Sequence, residues 1–174
     1  EVVRAARRLL GAGFKILTDA NNAHLNDLER AWRFLNETRD LNLYWFEEPL
    51  PENVELYGRL KDRMEQAGLK TLLADGENVR DVRAFEPYLK PRRLMDALQM
   101  DIRRGGFLGC LEMARLGEAV GAIAVPHNWA SQVGGLMGSS SWKGGPVREI
   151  SAQQIAETVA RLAQEANYYL PEDV

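Results

Sequence analysis

Five short apolar runs rich in β-favouring residues each end in a polar cluster along this chain, and the first four give way to a segment of helical period. The runs are FKILTDANN, LYWFEEP, TLLADGEN, DALQMDIRRGG and AIAVPHNW. Strands that are apolar almost throughout need cover on both faces, and intervening helices supply it, so the repeat predicts an α/β fold built on a parallel sheet. The helical stripes are Val2, Ala6 and Leu9, closing near Gly11 or Gly13; Leu28, Trp32 and Leu35; and Val54, Tyr57, Leu60 and Met64, stopped by Gly68. Asn26 and Glu29 have the spacing of a helix cap and its partner three residues on. Two further helices are expected around Val82 to Tyr88 and Leu108 to Val120.

With 174 residues, 45% of them hydrophobic and 27% charged, the chain has the makings of one domain with a real core. A net charge of −3 with mixed signs gives no basic footprint, which argues against nucleic acid or an anionic membrane surface as partner. No apolar run approaches the roughly 18 residues of a membrane helix, and EVVRAARRLL lacks the apolar centre of a signal peptide. A cytoplasmic location is the expectation. The single cysteine, Cys110, excludes an internal disulfide and reads as a helix-core residue in FLGCLEMA. After AVPHNW the chain becomes rich in Gly and Ser, which places a boundary near Gly144 between a domain over 1–143 and a linker with a helix over 144–174. Ser151 and Gln154 form a capping pattern there, and Ile155, Val159, Leu162 and Ala166 give one amphipathic face ending before Pro171.

Reactive groups in parallel α/β proteins gather at the carboxyl ends of the strands. Here those ends carry Asp19 and Asn21, Glu47 and Glu48, Asp75 and Glu77, Asp101, and His127. Singly, Asp and Asn are common caps and turn formers. Carboxylates on three neighbouring strand ends would repel unless a cation neutralised them, and an all-oxygen donor set suits a hard ion such as Mg²⁺. Asp101 and His127 end consecutive strands, so the carboxylate could hold one ring nitrogen and make the other a better base. Taken alone, His127 reads first as a satisfied, partly buried histidine after Pro126, and only the other strand ends favour the base. His24 reads as solvent-exposed. The glycines in GGFLG, Gly105 to Gly109, have the wrong spacing for a dinucleotide site.

The ordered series TDANN, WFEEP, ADGEN, QMDIRRGG and VPHNW, over roughly Glu1 to Gly138, resembles the barrel domain of the enolase superfamily. It is most similar to the mandelate racemase/muconate lactonizing enzyme family, which includes many sugar-acid dehydratases. The resemblance implies a partial (β/α)8 TIM-type barrel of about five parallel βα units. By position, Asp19, Glu47 and Glu77 would be Mg²⁺ ligands, with Asn21 and Glu48 in support and Asp75 as the less favoured third ligand. Asp101 and His127 match the family's dyad, with His127 as general base; a Lys or His base beside Mg²⁺ is a known pattern of enolase-superfamily sites. The implied reaction is α-proton abstraction from a small carboxylate, a sugar acid, through an enediolate, ending in dehydration (a lyase) or racemisation (an isomerase).

The family barrel has eight strands, and its Lys-x-Lys strand, closing strands and capping domain have no counterpart in these motifs. Lys15, near the start of its strand, does not replace the lysine motif. The tail REISAQQIAETVARLAQEANYYLPEDV resembles the amino-terminal helix of the α part of class I fumarase and tartrate dehydratase, without cluster cysteines. An open five-strand sheet would expose edges, so a homo-oligomer is expected. The alternative expectation is a catalytically inactive truncated or fused remnant retaining at most weak divalent-metal binding.

Overall fold

The computed structural model describes residues 1–128. The expected boundary near Gly144 and the helix carrying Ile155 and Leu162 lie outside the described residues. Five strands, β1 (Leu17–Asp19), β2 (Trp45–Glu47), β3 (Leu72–Asp75), β4 (Ala97–Leu98) and β5 (Ile123–Ala124), alternate with helices α1 (Val2–Leu10), α2 (Leu28–Glu37), α3 (Val54–Gln66), α4 (Glu86–Leu89) and α5 (Ile102–Glu118). All neighbouring strands pair in parallel, and their spatial order is their chain order. The expected run of five parallel βα units is therefore present, as successive staves of a βα barrel would be.

Alternation along the strands sorts their side chains onto two faces. Phe46, Leu73 and Leu98 face the helices and share a core with Leu28, Ala31 and Leu35 of α2 and Tyr57, Leu60 and Met64 of α3. Trp45, Ala74 and Ala97 form a second cluster with Leu72 and Ile123. Burial of each large side chain stabilises the fold by about 1.5–3 kcal/mol, which is why the longest apolar runs mark the sheet. Among the described residues no helix is long and apolar enough to cross a membrane.

Several local expectations are corrected. In α1 the packed face is Val3 and Ala6, against Ile16, Leu41 and Leu43, whereas Val2 and Leu9 are 83% and 85% exposed. Arginines set this orientation: Arg7 Nε donates to Leu41 O at 2.9 Å, and Arg4 Nη1 pairs with Asp40 at 2.6 Å. Helix α2 is capped by Asp27, whose Oδ1 accepts from Arg30 N at 3.1 Å, because the preceding loop carries the chain one residue beyond Asn26. Glu29 is thereby released to pair with Arg63 of α3. The expected helix from Val82 is a 3₁₀ turn over Val82–Phe85 followed by α4, with Pro87 in its first turn. The span of α5 is broken at Gly106, whose φ of 64° and ψ of −178° are not helical, so a first turn over 102–105 precedes the helix expected around Leu108 to Val120. Cys110 is buried in α5, as its surroundings suggest.

At the amino ends of the strands Asp96 collects Lys61 of α3, Arg93 Nε at 3.1 Å and Leu73 N at 3.0 Å. This closed ionic cluster ties α3 to β3 and β4 on the side of the sheet opposite the strand ends discussed next.

Candidate active site

The rim begins with Asp19, whose Oδ1 accepts the amide of Asn21 at 2.7 Å in a tight turn. Asn21 and Asn22 both adopt positive φ, a conformation asparagine tolerates better than most residues. Glu47 is the register partner of Asp19 on β2, so the two carboxylates occupy adjacent strand ends. Burial raises the pKa of Glu47; a hydrogen bond from Gln99 opposes the rise, and repulsion from Asp19 and Glu77 adds to it. Gln99 is itself buried, with its Oε1 unpartnered among the described residues, so it offers Glu47 its amide nitrogen.

Glu48 behaves differently. A positive φ of 41° turns it away from its strand into a site only 2% exposed. There its Oε1 accepts from Asn22 Nδ2 at 2.8 Å and Asn78 Nδ2 at 3.3 Å. Burial, then Glu77, Asp75 and Asp19, push its pKa up to about 8. Asp75 is fully buried, accepts from Tyr57 Oη and from Gly76 N at 2.6 Å, and is pushed up to about 7, chiefly by burial. Gly76, at φ 113°, makes the turn that carries the chain from buried Asp75 to partly exposed Glu77. A Cβ there would lie 2.4 Å from Phe85 Cε1.

Asp101 caps α5, its Oδ1 accepting from Arg103 N at 2.6 Å, and forms a parallel bridge with His127. Its Oδ2 lies 2.7 Å from His127 Nδ1, while His127 Nε2 lies 3.0 Å from Glu77 Oε2. A carboxylate accepts only, so Asp101 requires the proton on Nδ1. His127, Asp101 and Glu77 line a cleft of about 600 Å³ with Arg80, Arg103 and Arg104.

All the strand-end residues thus lie along one rim, though not as one cluster. Asp19 and Glu47 stand side by side, Glu77 joins the Asp101–His127 pair, and Glu48 and Asp75 turn into the protein. Among the described residues no three His, Cys, Asp or Glu side chains converge into a ready metal cage. The donor set nevertheless fits a hard cation. It is all carboxylate oxygen on three adjacent strand ends; burial is the main cause of the upward shift of Glu47, and a cation would relieve the smaller repulsion from Asp19 and Glu77 that adds to it.

Sequence reasoning misses Asn22, Asn78, Gln99 and Tyr57. Gln99 had a readable signal, because alternation places it on the face of Asp101 two residues later. His24 is a correction: it is half-buried, packed edge-on against Phe46 with ring centroids 5.9 Å apart, and burial lowers its pKa. The loop of Asn21 and Asn22 folds it back onto β2.

This combination of parallel βα units and a rim of acids beside an Asp–His pair is that of part of an enolase-type barrel. The chain belongs to the enolase superfamily, in its mandelate racemase-like branch: residues 1–140 match the family described as Enolase C-terminal domain-like. L-Rhamnonate dehydratase of Saccharopolyspora erythraea is 32% identical over 129 residues, which are 73% of this chain and 32% of that protein. A mutant galacturonate dehydratase from Geobacillus sp., solved in complex with Mg, is 33% identical with a TM-score of 0.67, covering 76% of this chain and 33% of that one. A mandelate racemase/muconate lactonizing protein from Paracoccus denitrificans Pd1222 is 31% identical with a TM-score of 0.60, covering 72% and 32%. The chain spans about a third of the length of the curated relatives it matches.

Proposed function

We propose that this chain carries the acid–base and metal-holding rim of a Mg²⁺-dependent sugar-acid dehydratase. The observation that carries this reading is His127, whose Nδ1 is held by Asp101 at 2.7 Å while Nε2 faces the acidic rim through Glu77 at 3.0 Å. Its sugar-acid dehydratase relatives supply the reaction class.

Asp19, Glu47 and Glu77 would hold the ion, with Glu48, Asn21 and Asp75 supporting the backbone and charge around them. When bound, the ion supplies positive charge against the negative charge that develops on the substrate carboxylate. Nε2 of His127, which lies 3.0 Å from Glu77 Oε2, would take the proton from the carbon next to the carboxylate, with Glu77 serving instead as one of the residues that would hold the ion. Asp101 then stabilises the imidazolium, in the role an aspartate plays behind a catalytic histidine. The imidazolium would pass its proton to the departing β-hydroxyl, which leaves as water and returns His127 to the neutral form. Racemisation would need a second base on the opposite face, and Lys15 does not provide it: its Nζ sits 4.1 Å over the Tyr44 ring, ahead of β1.

A second reading, a non-catalytic chain with at most weak metal binding, draws on the engaged Nε2 and the unconverged carboxylates. The test is turnover on a panel of sugar acids with Mg²⁺, scoring the 2-keto-3-deoxy acid product. Product from the wild type and none from His127→Asn supports the dehydratase. No product from any acid, together with equal Mg²⁺ titrations for wild type and Glu47→Gln, supports the non-catalytic reading.

A further inference from the structure

One wall of the cleft has no part in the proton transfer. Arg80 lies in the loop after Glu77, and Arg103 and Arg104 occupy the first turn of α5. Three guanidinium groups therefore line the cavity against two carboxylates, in a chain whose net charge is −3. Scattered arginines are ordinary solvated surface, but these converge from two separate elements beside the candidate base. Their placement is built by the backbone. Asp101 accepts the Arg103 amide and fixes the first turn of α5, and Arg104 Nη2 donates to Asn78 Oδ1 at 3.1 Å, tying that turn to the loop of Glu77. A cavity of about 600 Å³ is within the range of roughly 300–1,000 Å³ usual for small-molecule sites.

We propose that Arg80, Arg103 and Arg104 form an anion subsite that receives a second anionic group of the substrate, remote from the carboxylate next to the abstracted proton. The subsite makes the cleft selective for dianionic sugar acids over monoanionic ones, and it rests on the reading of His127 as the base of the same cleft. Guanidinium groups present paired donors matched to carboxylate or phosphate oxygens, so either group is suitable chemistry. Arg80 and Arg103 are exposed at the cleft, which makes their contribution sensitive to salt.

Isothermal titration in Mg²⁺ and low salt tests this with three probes: galactonate, galactarate and 6-phosphogluconate. The expected result is binding of galactarate, a dianion, or of 6-phosphogluconate, which carries a carboxylate and a phosphate, or of both, about tenfold tighter than galactonate. Preference for galactarate alone identifies a carboxylate subsite, and preference for 6-phosphogluconate alone a phosphate subsite. In the double variant Arg80→Gln/Arg103→Gln, with Arg104 and its bond to Asn78 kept, the preference collapses because affinity for the more highly charged probes falls more than that for galactonate. Equal affinities, no binding of galactarate or 6-phosphogluconate, or a preference that survives in a folded double variant overturns the subsite. His127→Asn separates the two readings: a preference kept there, with no turnover in the wild type, sinks the dehydratase and leaves the subsite standing.

Discussion

Nδ1 of His127 lies 2.7 Å from Oδ2 of Asp101, and the same two residues pair as a parallel backbone bridge at the ends of their strands. Backbone pairing thus holds the carboxylate and the ring together before any ligand arrives. Asp101→Asn removes the charge that stabilises the imidazolium but leaves a side chain able to cap α5. The turnover rate should fall by about 10²–10⁴-fold, the usual span for an acid–base contribution. Circular dichroism should be unchanged, and steady-state kinetics on the best substrate of the panel checks the rate.

Two carboxyls are displaced upward, Glu48 to about 8 and Asp75 to about 7, both mainly by burial. In the unfolded chain both ionise near the usual carboxylate value. Between about pH 4 and pH 8 the folded state therefore holds more protons, so their contribution is full below about pH 4 and lost as pH rises through 7 to 8. The urea midpoint of the metal-free protein should be lower at pH 8.5 than at pH 5.5, and Glu48→Gln/Asp75→Asn should flatten that slope. A slope unchanged in the double variant would assign the dependence to other groups.

Gly76→Ala tests how Glu77 is delivered to the rim. The new methyl meets the Phe85 ring at 2.4 Å, and φ of 113° is strained for alanine. A loss of about 1–3 kcal/mol of stability is expected from the overpacking. Chemical denaturation measures it, and weakened Mg²⁺ binding in the folded fraction should accompany it.

Asp96→Asn separates the two ends of the sheet. Removing one partner of the buried cluster leaves Lys61 uncompensated, which costs about 3–5 kcal/mol. Because the cluster lies at the amino ends of the strands, the surviving folded protein should keep its substrate preference and its rate per folded molecule.

The order of strands and the strand-end positions of Asp19, Glu47, Glu77 and Asp101 are legible in the sequence, because strands covered on both faces leave continuous apolar runs such as Leu43 to Phe46. Orientation within an element is less legible. The face of α1 depends on where Arg4 and Arg7 find carbonyl and carboxylate partners more than thirty residues away. Glu47 and Glu48 look alike in the sequence, yet one backbone angle at Glu48 sends it into the protein toward Asn22 and Asn78. The arginine wall depends on the turn that begins at Ile102 ahead of the break at Gly106, and the glycine pair Gly105 and Gly106 marks that break but not the turn before it.

The central claim is that His127 removes the proton next to a carboxylate with the help of a cation on the acidic rim. Deuterium incorporation at the α carbon of a sugar acid in D₂O, followed by NMR, reads that step alone. The account predicts exchange in the wild type with Mg²⁺, loss of exchange on chelation, and none in His127→Asn or Glu47→Gln. Exchange that persists in folded His127→Asn, or that ignores removal of the metal, would contradict it.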